Sequence, residues 1–318
     1  MTQLVFADVD TGVDDAVAVV YLLASPGAEL IGIASTGGNV AVSQVCANNL
    51  ALLRLCGATG IPVSRGADSA LCGPVRAAEN IHGPQGLGYA ELTPGGGQLT
   101  GYDAASAWVR AAQAHPGELI GVVTGPLTNL ALALRAEPAL PKLLRRLVIM
   151  GGAFERARAE FNIGVDPEAA AEVFAAWGTA VPHRLPIVCG LELTEQIAMT
   201  PAILDRLAVA AGASNPLIRV LEDALRFYFE AHDRRGRGYL AYLHDPLAAA
   251  VALDPELVTT HPAAVHVELA NPPSRGRTVA DFASRGPNAL IGVSVDPDAF
   301  FDRLVERVGA FARELGHS

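Results

Sequence analysis

Short, uninterrupted apolar runs, each closing on a polar or glycine-containing turn, constrain this chain most. Residues 4–7, 30–35, 119–124, 147–150 and 187–189 are such runs. A strand buried on both faces has no polar side to alternate with. Continuous apolar strands separated by helical patterns therefore predict a mainly parallel sheet. Residues 13–24 and 41–55 carry the helical patterns that follow the first two runs. The expected fold is α/β, with an open, mostly parallel central sheet and helices on both faces. The chain has 318 residues, 51% of them apolar, enough to bury such a core without disulfide or metal staples. No internal repeat or linker divides it, so residues 1–318 are expected to form one domain.

Several helix starts are explicit. Asp166-Pro167, Asp245-Pro246, Asp254-Pro255 and Asp296-Pro297 each offer an Asp N-cap and a Pro at the first helical position. Phe300, Leu304, Val308, Phe311 and Leu315 form one apolar stripe on a last helix, which should dock on the body. Residues 65–101 and 234–238, rich in Gly with Pro or Arg, read as irregular loops.

Charge and hydropathy exclude several classes. The net charge is −10, and Lys142 is the one lysine among 23 basic residues. Nucleic-acid binding needs a concentrated basic face, so no nucleic-acid partner is expected. The most apolar stretch, residues 16–33, is broken by Ser25-Pro26-Gly27 and Glu29, short of the roughly 20 apolar residues a membrane span requires. The opening MTQLVFADVD lacks the basic start of a secretory signal. Cys46, Cys56, Cys72 and Cys189 show no CxxC spacing. Reduced thiols in a cytoplasmic protein are the expectation, with no membrane partner.

In open parallel sheets, ligands bind outside the carboxyl ends of the strands. Directly after the first apolar run stands Asp8-Val9-Asp10-Thr11-Gly12-Val13-Asp14-Asp15. Helix capping and first-turn acids account for one or two of these four carboxylates. Four at a partly buried strand end repel one another unless a cation joins them. Oxygen-only ligands favour Ca²⁺ or Mg²⁺ over zinc. Taken singly, His244-Asp245-Pro246 reads as a helix start, Thr124-Gly125-Pro126-Leu127-Thr128-Asn129 as a strand–helix turn, and Glu160-Phe161-Asn162 as a loop before a capped helix.

Together these segments resemble the calcium-dependent nucleoside hydrolases of the inosine–uridine-preferring type. The family signature is Asp-x-Asp-Pro-Gly-x-Asp-Asp, met here at residues 8–15 with Thr11 in place of proline. The resemblance continues in order through Gly38-Asn39, Ile81-His82-Gly83, the motif at 124–129, Met150-Gly151-Gly152, Glu160-Phe161-Asn162, His244-Asp245-Pro246 and Thr278-Val279-Ala280-Asp281. It implies a Rossmann-like nucleoside hydrolase fold and hydrolysis of ribonucleosides to free base and ribose. It implies Ca²⁺ held by Asp10, Asp15, Asp245 and the Thr124 carbonyl, with Asp10 also the general base for the attacking water. Ribose would be held by Asp14, Asn39, Asn162 and Asp245, with Glu160 and Met150 on the 5′ side. His244 would protonate the leaving base with a pKa suited to neutral pH, and His82 would sit near the base. Tyr228, His232 and Tyr239 fall in the region bordering the base pocket. A homodimer or homotetramer is also implied.

One departure is larger than Thr11. Between Gly152 and Glu160, relatives carry a longer loop whose asparagine helps bind the 5′-hydroxyl. Here the segment is residues 153–159, without asparagine and with Arg156 and Arg158. A shortened surface loop and an altered 5′ pocket both fit. Two other functions compete. A haloacid-dehalogenase-like phosphatase would use an Asp-x-Asp pair but also wants a later lysine and a late acidic pair. A non-hydrolysing nucleoside-binding protein would need neither base, metal nor acid.

Overall fold

A computed structural model describes residues 2–75, 77–181, 184–212, 215–270 and 273–316. The strands are β1 Gln3–Val9, β2 Ala28–Ser35, β3 Val63–Arg65, β4 Leu119–Val123, β5 Leu144–Met150, β6 Ile187–Cys189, β7 Ala198–Met199, β8 Ala241–Tyr242, β9 Val258–Val267, β10 Thr278–Asp281 and β11 Ala289–Val295. The helices are α1 Val13–Leu23, α2 Val42–Leu55, α3 Glu79–His82, α4 Ala104–Ala114, α5 Thr128–Ala136, α6 Leu140–Leu143, α7 Phe161–Val165, α8 Pro167–Ala180, α9 Leu191–Thr194, α10 Pro201–Ala211, α11 Pro216–Asp233, α12 His244–Leu253 and α13 Pro297–Leu315. Among the described residues, no helix is long and apolar enough to cross a membrane.

The main sheet runs β10-β9-β11-β6-β5-β4-β1-β2-β3. Every pairing from β11 through to β3 is parallel, while β9 is antiparallel to both β11 and β10. The expected open, mostly parallel sheet is what forms. Its apolar strands are buried on both faces because alternate residues feed two separate cores. In β1, Val5, Ala7 and Val9 join α1, α11, α12 and α13, whereas Phe6 points to the core of α4, α5 and α8 that holds Trp108, Phe174 and Trp177.

The antiparallel edge has a weaker sequence signal. In β9, residues alternate irregularly between buried and exposed, and Pro262 interrupts the run. Pro262 is tolerated because β10 covers only Ala264–Val267 of that strand, so its missing N–H falls where no outer ladder exists.

Of the expected caps, Asp166, Asp254 and Asp296 accept from backbone N–H groups at the start of their helices. Asp245 does not. Leu243 is the N-cap of α12, and His244 and Asp245 are its first two residues. The Asp245 carboxylate turns instead toward the other acids at the sheet edge.

The chain leaves β1 for β2 on one side, then returns from β3 to β4 on the other side of β1. The carboxyl ends of β1 and β4 thus flank the point where strand order reverses, the usual ligand crevice of such sheets. The Thr124 N–H bonds the Asp8 carbonyl at 2.9 Å and locks the two strand ends together.

Candidate active site

Three segments bring their carboxylates to this crevice. Asp10 leaves the end of β1. Asp14 and Asp15 lie in the first turn of α1, where the helix dipole favours negative charge. Asp245 arrives from the start of α12, which packs along α1. None is more than 4% exposed. Oxygens of Asp14, Asp15 and Asp245 lie within 4.8 Å of one another. Asp15 is well held: its Oδ2 accepts from the Gly12 N–H at 2.9 Å and the Asn39 amide at 3.1 Å, and its Oδ1 from the Thr124 hydroxyl at 2.6 Å. Asp10 Oδ2 accepts from the Asn39 N–H at 2.8 Å. Its Oδ1 is buried with no hydrogen-bond partner, alone in this among the described residues. A glycine is needed beside it, since a Cβ on Gly38 would sit 2.1 Å from Asp10 Oδ2.

The electrostatics are unfavourable for the protein by itself. Burial pushes all four carboxyls up. Mutual repulsion adds to it, with Asp15 acting on Asp10 and Asp14, and Asp14, Asp15 and Asp10 acting on Asp245. Asp14 is raised to about 7. An orphaned buried oxygen beside three further carboxylates is a donor set that a hard divalent cation fits. Asp8, also buried, belongs to a different network, accepting from Trp108 Nε1 at 2.7 Å and Asn129 Nδ2 at 3.0 Å. It props the strand end from behind.

Above the acids opens a cavity of about 310 Å³. Asp14, Asn39, His82, Thr124, Met150, Glu160, Asn162, His244 and Asp245 all reach its wall, so every expected substrate-side residue faces one space. Asp10 and Asp15 lie beneath the floor, 1% and 0% exposed. Glu160 caps α7, accepting from the N–H groups of Gly152, Asn162 and Ile163. The Asn162 amide rests on the carbonyls of Thr124 at 2.6 Å and Met150 at 3.3 Å. His82, Tyr228, His232, Tyr242 and His244 form a ladder of rings with successive centroids 4.6–5.9 Å apart. Tyr228 and His232 line the cavity, but Tyr239 does not; it is 47% exposed and packs on Phe229.

The pattern of the inosine-uridine preferring nucleoside hydrolase family matches residues 5–302. The chain belongs to this family. It is 35% identical to the pyrimidine-specific ribonucleoside hydrolase RihA of Citrobacter koseri, over 98% of this chain and all of that one. It is 32% identical to the inosine-uridine preferring nucleoside hydrolase of Leishmania major, over 97% and 99%. Its fold superposes on a purine-preferring ribonucleoside hydrolase from Gardnerella vaginalis with a TM-score of 0.91, at 31% identity and covering 98% and 100%.

In this nucleoside hydrolase family member, both His82 and His244 are held below the usual imidazole range, and for His244 this differs from expectation. His82 Nδ1 accepts the Val13 N–H at 3.1 Å, which leaves the proton on Nε2. Burial, with repulsion from His244 and His232, pushes its pKa down to about 3. His244 shares a 2.7 Å hydrogen bond with the Thr194 hydroxyl through Nδ1, and burial lowers it also to about 3, against an opposing pull from Glu195. The expectation of an imidazole poised near neutrality is therefore corrected: enclosure by α9 and the ring ladder holds His244 neutral.

Sequence reasoning missed Glu195, Arg235 and Arg237, which complete the wall near His244. Of the two new arginines, Arg156 lines the cavity and Arg158 is exposed outside it. The Arg/Gly run at 234–238 was visible, but nothing local says that it faces the same space as residue 156.

Proposed function

We propose that this chain hydrolyses the N-glycosidic bond of ribonucleosides, releasing free base and ribose, with Ca²⁺ as its metal. The observation that carries this reading is the meeting of Asp10, Asp14 and Asp15 with Asp245 under one cavity, with an Asp10 oxygen left bare. Family membership supports the reaction class.

Asp10, Asp15, Asp245 and the Thr124 carbonyl would hold the cation. When bound, it offsets the clustered negative charge and supplies an oriented water of lowered pKa. Asp10 Oδ1 accepts the proton of the attacking water. Asp14, Asn39, Asn162 and Asp245 take the 2′- and 3′-hydroxyls. Glu160 and the Met150 backbone face the 5′ side. The ribose ring gains positive charge as the bond breaks, and the carboxylates around it favour that state. His244, a neutral imidazole with Nδ1 tied to Thr194, stands on the cavity wall to assist departure of the base.

The competing phosphatase reading has no support in the geometry. Lys142 is exposed on α6, at the amino end of β5, whereas the acids lie beyond the carboxyl ends of the strands. A pure nucleoside binder would not need the bare Asp10 oxygen. All four cysteines are unpaired. We place the protein in a reducing cytoplasm, as one catalytic domain in a homodimer or homotetramer.

A ribonucleoside panel with a free-ribose assay tests the reading. Turnover of inosine or uridine, with little of their 2′-deoxy counterparts, is expected, because a buried acceptor left unmet costs about 1–3 kcal/mol. No release from any member would favour the binder.

A further inference from the structure

Around His244, three guanidiniums and a carboxylate gather on the cavity wall. Arg156 comes from the short segment 153–159, Glu195 follows α9, and Arg235 and Arg237 follow α11; all four line the cavity. Arg156 Nη2 and Arg237 Nη1 both bond the Glu195 carboxylate, the latter at 2.9 Å. Arg156 Nε also lies 3.9 Å from Glu192, whose carboxylate accepts the Phe154 and Glu155 N–H groups and fixes the short segment. Burial pushes Glu195 up, but the two guanidiniums outweigh it and keep its carboxyl below the usual range. Arg235 has no carboxylate partner among the described residues. Three guanidiniums and one carboxylate thus share this wall, while Glu192 lies behind it.

We infer that Arg156 and Arg237, held side by side by Glu195, serve the reaction as the positive pole of a polarised cavity and stabilise the departing base. The inference rests on the hydrolase reading. Heterolysis of the C1′–N bond leaves the electron pair on the base nitrogen and positive charge on the ribose ring. Water oxygen bonds C1′, Asp10 takes one water proton, and the base leaves as an anion that takes its proton from solvent. A field running from carboxylates at the ribose end to guanidiniums at the base end is aligned with that charge separation and is already in place before it occurs. Arginine suits the role because it stays charged when partly desolvated. Glu195 is a positioning residue: without it two like charges would part.

The test compares base-substituted uridines (5-fluoro, unsubstituted, 5-methyl) and 4-nitrophenyl riboside on the wild-type enzyme, Arg156→Gln, Arg156→Gln/Arg237→Gln and Arg156→Lys. Preorganised charge acts most where the leaving group is poorest. The double variant should lose on the order of 10–100-fold in kcat on 5-methyluridine and only a few-fold on the nitrophenyl riboside, with Arg156→Lys retaining most of the rate. Ratios between substrates within one variant do not depend on how much of it is folded. An equal loss on all substrates, a change confined to KM, or no change overturns the inference. Wild-type enzyme that releases ribose neither from this series nor from inosine overturns the hydrolase reading and this inference with it. Normal wild-type turnover with flat variant ratios overturns the inference alone.

Discussion

Asp10 concentrates the chemistry in one side chain. Its Oδ2 is pinned by the Asn39 N–H and its Oδ1 is bare, so one oxygen orients the group and the other is free to act. Asp10→Ala should lower kcat by at least about 10³-fold while the fold persists, measured as ribose release alongside far-ultraviolet circular dichroism. Retained turnover would remove Asp10 from the mechanism. A pH effect follows from the raised carboxyls. A group whose pKa is higher folded than unfolded stabilises the protein below its unfolded pKa and loses that contribution as pH rises through the folded value, here about 7 for Asp14. Cation-free protein should therefore lose stability from these groups between about pH 5 and pH 8, while cation binding, which must displace their protons, strengthens. Thermal unfolding with and without Ca²⁺ at both pH values should show a gap that widens with pH. An equal gap would contradict the assignment. The acidic run at 8–15 was readable as a cation site because four carboxylates exceed what one helix start can use. The neutrality of His244 was not readable, because burial by Thr194 and Tyr242 is a property of the assembled fold.

At the scale of elements, the parallel strands were legible and the C-terminal edge was not. Wholly apolar runs such as β4 have only one environment to occupy. The β9 sequence, with Pro262 and exposed positions, is half solvent-facing and resembles a loop. Asp245 looked like a cap because Asp-Pro commonly starts a helix; in the fold Leu243 is the N-cap and Asp245 lies inside the first turn, its carboxylate facing the other acids. The carboxylates that hold Arg156, Glu192 and Glu195, lie about 40 residues away in sequence, on and just after α9, and Glu195 in turn bonds Arg237 beyond α11, so no local pattern reveals the cluster. Two predictions belong here. Trp108→Phe keeps much of the packing in the α4 core but removes a donor from buried Asp8. It should destabilise the protein by about 1–3 kcal/mol in urea unfolding. No change would mean that Asp8 is satisfied without it. Gly38→Ala forces a Cβ onto Asp10 and should cut turnover far more than it lowers the unfolding midpoint. The opposite ranking would contradict the close fit of this turn around Asp10.

Over the whole molecule, the sheet order brings residue 10 and residue 245 to one crevice. Helices α1 and α12 pack side by side and present their first turns to the same point. Neither helix end is a site without the other, and the like charges so assembled oppose folding until a cation joins them. The short segment 153–159, tied to the end of α9 through Glu192 and Glu195, brings Arg156 to the cavity wall and offers no asparagine to the 5′ side. Losing the 5′-hydroxyl should therefore cost this enzyme little: kcat/KM for 5′-deoxyuridine is expected within about tenfold of that for uridine, since the hydrogen bond at stake is worth about 0.5–1.5 kcal/mol. A loss of several hundredfold would show that Glu160 and Met150 hold the hydroxyl as firmly as a longer loop does.

The most direct test of the cation-dependent site is ribose release from uridine and inosine, followed through chelation and Ca²⁺ return on a single protein sample. Release that stops when the chelator strips the metal and resumes when Ca²⁺ is restored is the predicted result. Undiminished release from protein shown by elemental analysis to be free of divalent metal would contradict it.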